Sequence, residues 1–105
     1  MIIGFDGVEL TPRHASVLSR LQPAGVILFA RNIKSPEQTW RLLRDCQNCV
    51  AKPLFTCVDL EGGTVDRFCD VLGPTPSAAE VYATGDPRLY RKHGQIIAEN
   101  CRAPR

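Results

Sequence analysis

The chain has 105 residues, 44% of them hydrophobic and 23% charged, with a formal net charge of +2. That is the composition of one small globular domain, with no strong field to draw in nucleic acid or an anionic membrane surface. The longest apolar run, Ala24 to Ala30, is far too short to span a bilayer. Met1-Ile2-Ile3-Gly4-Phe5 has neither a basic flank nor a long apolar core, so no secretory signal is expected. Five cysteines, an odd count in an α/β pattern, fit reduced thiols and a cytoplasmic location.

Taken in order, Met1 to Phe5 reads as a first strand, ended by Asp6-Gly7. Thr11 is a good N-cap and Pro12 suits the first helical position, which predicts a helix over 12–21 with Ala15, Val17, Leu18 and Leu21 on its apolar face. Gly25 to Ala30 is continuously apolar, as expected of a parallel strand covered on both faces. Arg31 and Asn32 follow at its carboxyl end, where α/β sheets place ligand groups. They are second-rank site candidates, the alternative being that they cap the loop and hold Ser35.

Ser35-Pro36-Glu37-Gln38 is a capping-box start, predicting a helix to about Val50 with Trp40 packed on the sheet. Cys46 and Cys49 form one C-x-x-C near that helix's end. A zinc site would need more ligands, and a redox pair would sit at a helix start, so ordinary buried or half-buried cysteines are expected. Lys52-Pro53 breaks the helix and Leu54 to Val58 reads as the third strand.

The third strand leads into V-D-L-E-G-G-T-V-D-R-F, residues 58–68, the most informative stretch. Asp59 and Glu61 stand at the strand's carboxyl end, Gly62-Gly63 can turn the backbone sharply, and Arg67 lies beyond the turn. A carboxylate and a five-donor guanidinium returned toward each other suit a polyhydroxylated ligand. The competing reading is a turn cap with a surface ion pair. After Phe68 the chain is expected to be irregular through Gly73-Pro74-Thr75-Pro76, then helical from Ser77 to about Ala83 and from Asp86-Pro87 to about Arg102. In the last helix Leu89, His93, Ile96, Ile97 and Cys101 share a face, and His93 reads as a core-edge residue. The strand–helix alternation calls for a parallel sheet. No P-loop, G-x-G-x-x-G, G-x-S-x-G or H-E-x-x-H stretch is present.

The joint occurrence of G-V-I-L-F-A-R-N, S-P-E-Q and V-D-L-E-G-G-T-V-D-R-F resembles the N-terminal part of family 3 glycoside hydrolases, nearest the bacterial β-N-acetylhexosaminidases of peptidoglycan recycling. The resemblance implies a TIM-like (β/α)8 barrel with the sugar at the carboxyl ends of the strands, and no cofactor or metal. It implies that Asp59 and Arg67 bind sugar hydroxyls; Glu61, Arg31 and Asn32 stay weaker candidates on their places at strand ends. It also implies a retaining mechanism with an Asp nucleophile and an acid/base group resembling a His–Asp pair.

The chain departs from the family's pattern in length and in motifs. A TIM barrel takes roughly 250 residues, so about three parallel strands with flanking helices, a partial barrel, are expected over residues 1–105. The K-H-F-P-G-H-G motif is absent, and no residue matches the nucleophile. The isolated chain is therefore expected to be inactive, with an amino-sugar or oligosaccharide ligand as its partner and self-association through unpaired sheet edges. Ala103-Pro104-Arg105 depart from the usual helix-to-strand passage. The alternative function is a non-catalytic truncated product that binds sugar weakly. A thiol-redox module on Cys46 and Cys49 is a more distant one.

Overall fold

A computed structural model describes residues 1–102. Ala103-Pro104-Arg105, read above as a break from the helix-to-strand passage, lie outside the described residues. Three strands, β1 (Ile2–Ile3), β2 (Gly25–Leu28) and β3 (Phe55–Val58), form a parallel sheet in the order β1-β2-β3. The register pairs Ile2 with Gly25 and runs from Gly25 opposite Phe55 to Leu28 opposite Val58. Gly25 is required at this contact, because a Cβ there would stand 2.5 Å from the Phe55 carbonyl oxygen.

Helix α1 (Pro12–Leu21) follows β1 and helix α2 (Pro36–Asn48) follows β2. Thr11 and Ser35 accept from the His14 and Gln38 N–H groups, so both N-caps form where the sequence signals them. The core is Leu18, Val26, Leu28, Ile33, Leu42, Cys46 and Phe68, joining both helices to the sheet and to the chain beyond it.

The first two strands are shorter than the sequence led us to expect, and one side chain accounts for it. Asn32 is fully buried. Its Nδ2 donates to the carbonyls of Phe5 and Gly7 at 3.0 and 2.7 Å, and its Oδ1 accepts from the Phe29 N–H at 2.9 Å. Backbone groups that would have extended β1 and β2 are paired with Asn32 instead, and Ala30–Asn32 close into a single 3-10 turn. The buried stripe of α2 is also rotated from the one expected: Thr39, Leu42 and Cys46 face inward. Thr39 can be buried because its hydroxyl donates to the Ser35 carbonyl at 2.8 Å. Trp40 is consequently 43% exposed, under the Arg44 guanidinium at 4.9 Å, rather than packed on the sheet.

Beyond β3 the chain is more regular than expected. Strands β4 (Leu60–Gly62) and β5 (Val65–Asp66) form an antiparallel hairpin, and α3 (Cys69–Leu72) follows directly. Helix α4 (Ala78–Ala83) is started by a reciprocal Ser77–Glu80 capping box. Helix α5 (Pro87–Arg102) has the expected length but buries none of its side chains fully. It packs on α4, with Tyr82 and Tyr90 stacked at 6.2 Å. Among the described residues no helix is long and apolar enough to cross a membrane.

Candidate functional site

The site is built by the hairpin. Asp59 directly follows the last residue of β3, and Arg67 directly follows the last residue of β5. Gly62 and Gly63 take φ of +77° and +59°, conformations that side chains other than glycine adopt only at a cost, and so reverse the chain between them. The reversal brings Arg67 Nη2 to 3.8 Å from Asp59 Oδ2. That separation is an ion pair but too long for a good hydrogen bond. Asp59 is 47% exposed and Arg67 31% exposed, so the pair contributes at most about 1 kcal/mol to stability. Both groups retain most of their hydrogen-bonding capacity for a ligand, acceptor beside donor. Arg67 Nε is buried with no hydrogen-bond partner among the described residues.

The other sequence candidates separate. Glu61 is exposed on β4. Arg31 is at the rim, its Nε 2.8 Å from Asp6 Oδ1 and its guanidinium 4.6 Å above the Phe29 ring. Asn32 does not present a free amide: all of its bonds close the loop, the alternative that the sequence left open. Cys46 is fully buried, and burial first, then the charges of Cys49 and Asp45, pushes its thiol up to about 12. A buried thiol with a raised pKa is a poor nucleophile at neutral pH, which weighs against the redox reading for Cys46. Among the described residues no group of three His, Cys, Asp or Glu side chains is placed to hold a metal ion.

Two residues that sequence reasoning missed complete the corner. Asp66 is 8% exposed and accepts from the Phe68 N–H, the Thr75 N–H and the Thr75 hydroxyl. The only local signal was an Asp two residues before Phe68, the spacing of an Asx turn. Thr75, nine residues on, carried none.

A parallel β/α unit with a donor–acceptor corner at the carboxyl end of a strand is the arrangement in which α/β folds, barrels included, place their ligand groups. The family profile described as "Glycosyl hydrolase family 3 N terminal domain" matches residues 4–104, and the chain belongs to that family. A beta-hexosaminidase of Xanthomonas campestris pv. campestris (strain B100) is 36% identical over 110 residues, covering 98% of this chain and 33% of that protein. A beta-hexosaminidase of Haemophilus influenzae is 42% identical over 77 residues, 73% of this chain and 22% of that one. Among solved structures, a glycoside hydrolase family 3 beta-N-acetylglucosaminidase from Paenibacillus sp. str. FPU-7 superposes with a TM-score of 0.89 at 28% identity, over 98% of this chain and 20% of that one. NagZ from Neisseria gonorrhoeae, solved in complex with zinc ion, gives 0.83 at 25% identity, over 99% and 33%. The chain spans about a third of the length of the curated beta-hexosaminidases that it matches over its whole length. Its three parallel strands with flanking helices are part of a TIM-like barrel, as the sequence led us to expect.

Proposed function

We propose that residues 1–105 are the N-terminal part of the catalytic domain of a β-N-acetylhexosaminidase, which hydrolyses terminal β-linked N-acetylglucosamine with retention. In this reading the chain supplies part of the sugar site. Asp59 accepts from neighbouring hydroxyls of the terminal sugar, and Arg67 donates to them. The reading is carried by the 3.8 Å Asp59–Arg67 corner at the carboxyl end of β3, where neither group is saturated by its partner. Glu61, exposed on the same hairpin, is a weaker contact. The rim position of Arg31 makes it more remote, and Asn32 acts by shaping the loop. Peptidoglycan fragments are the substrate class, and five free thiols fit a cytoplasmic setting.

A retaining glycosidase needs two catalytic groups about 5 Å apart across the bond. No residue of this chain is assigned to either role. Asp66, the most buried carboxylate of the corner, already has both oxygens occupied by three donors. The chain therefore binds and orients, and the bond-breaking groups are not among those it provides.

Calorimetric titration of N-acetylglucosamine into the purified chain tests the site. Asp59→Asn and Arg67→Ala should each weaken binding by about 1–3 kcal/mol, the cost of leaving a polar partner unpaired. Equal affinity in wild type and both variants would remove these residues from the site. The chain alone should not turn over a chromogenic N-acetylglucosaminide, and turnover abolished by Asp59→Ala would overturn the division of labour.

A further inference from the structure

Arg67 is a long side chain whose ion pair at 3.8 Å is too weak to hold it in one place. Its backbone, by contrast, is fixed on both sides. Asp66 Oδ1 accepts from the Phe68 N–H at 3.1 Å, closing an Asx turn with Arg67 at its centre. Asp66 Oδ2 accepts from the Thr75 N–H at 3.1 Å and the Thr75 hydroxyl at 2.7 Å, fastening that turn to the segment before α4. Thr75 also holds the turn of the hairpin, since its carbonyl accepts from the Gly63 N–H at 2.8 Å. The next residue continues the strap. The Pro76 carbonyl packs against Gly62 and lies 2.8 Å from His93 Nε2 of α5. A carbonyl can only accept, so the proton is on Nε2.

We propose that Asp66 and Thr75 are positioning residues for Arg67, setting where its guanidinium stands relative to Asp59. The proposal deepens the sugar-binding reading and rests on it. One threonine bonds to the turn that follows Asp59 and to the carboxylate that precedes Arg67, so the spacing of the two ligand groups is set from Thr75. With that link cut, the backbone around Arg67 is no longer fixed, and the guanidinium must be ordered when sugar binds.

The test compares wild type with Thr75→Val, which keeps the shape and drops the hydroxyl, Thr75→Ser, which restores it, and Asp66→Asn. Two quantities are measured in each folded protein. The first is the heteronuclear 1H–15N NOE of the Arg67 Nε–Hε group, which needs no ligand. The second is the calorimetric affinity for N-acetylglucosamine. Thr75→Val and Asp66→Asn should lower the NOE and weaken sugar binding roughly 2- to 10-fold, the equivalent of ordering one rotamer-rich side chain on association. Thr75→Ser should return both toward wild type, which a loss of general stability would not explain. An Arg67 NOE unchanged in Thr75→Val and Asp66→Asn overturns the proposal. Should Thr75→Val not fold, the near-isosteric Asp66→Asn decides by the same NOE. If wild type takes up no sugar while the NOE still falls, the sugar reading fails and the positioning role stands.

Discussion

Replacing Gly62 by alanine imposes two separable costs on the hairpin. The first is conformational: at φ +77° a residue with a Cβ is disfavoured by about 1–2 kcal/mol. The second is steric. The new Cβ would run into the Pro76 carbonyl oxygen, with the Pro76 carbonyl carbon at 2.8 Å and Ser77 Cα at 3.2 Å. These are backbone atoms and cannot rotate aside, so the strap must move, at about 1–3 kcal/mol for an overpacked contact. The expected loss is therefore about 2–5 kcal/mol, a large part of the about 5–15 kcal/mol that holds a typical domain together. Gly85 supplies the control. Its φ is +67°, but a Cβ there meets nothing within 4 Å, so Gly85→Ala bears the first cost alone. Equilibrium unfolding in urea, followed by far-ultraviolet circular dichroism, reads both as shifts in midpoint at constant slope. If Gly62→Ala is no less stable than Gly85→Ala, the close approach of the strap to the hairpin is wrong, and with it the account of how Asp59 and Arg67 are brought together.

Two further outcomes follow from the loop and the core. Asn32→Ala removes the three hydrogen bonds of a buried side chain and should destabilise the chain by about 3 kcal/mol, whereas Arg31→Ala, breaking an exposed ion pair, should cost less than about 1 kcal/mol. A comparable loss in both, measured by urea midpoint, would place the ordering of the rim elsewhere. Cys46 gives a pH dependence. Burial raises its folded pKa from 9.0 to about 12, so its contribution to stability is complete below the unfolded value and declines as pH rises through that interval. Between about pH 9 and about pH 11 the wild-type midpoint should fall more steeply than that of Cys46→Ala, by up to about 1.4 kcal/mol per pH unit. Parallel declines would show that the thiol is not the group titrating.

The elements that the sequence predicted correctly were those with local causes. Thr11-Pro12 and Ser35-Pro36 start α1 and α2 because cap and first-turn proline act within four residues of each other. Gly62-Gly63 turned as expected because positive φ is a property of glycine itself. The Asp59–Arg67 corner followed from that turn. On α2 the reading went astray because apolar periodicity overlooked a polar side chain that could be buried. Periodicity put Trp40 inward on α2, but the Ser35 carbonyl offered Thr39 a bond that made a buried hydroxyl cheap, and the helix sits rotated accordingly.

The strap shows the same limit at the site. Thr75 lies in a Gly-Pro-Thr-Pro stretch whose composition only says that no long element can pass through it. The strap's role arises from four bonds, made by four groups of two residues: the N–H, hydroxyl and carbonyl of Thr75, and the carbonyl of Pro76. None of the partners, Asp66, Gly63 and His93, is close enough in sequence for spacing to reveal it. Irregular backbone buried against a turn must have its polar groups paired, and here those pairings hold the hairpin that carries Arg67. A proline-rich segment that follows a strand-end D-x-E-G-G hairpin is thus better read as a candidate support for the hairpin than as a connector. In this chain the residues that chemistry singles out, Asp59 and Arg67, depend on one that chemistry alone would pass over.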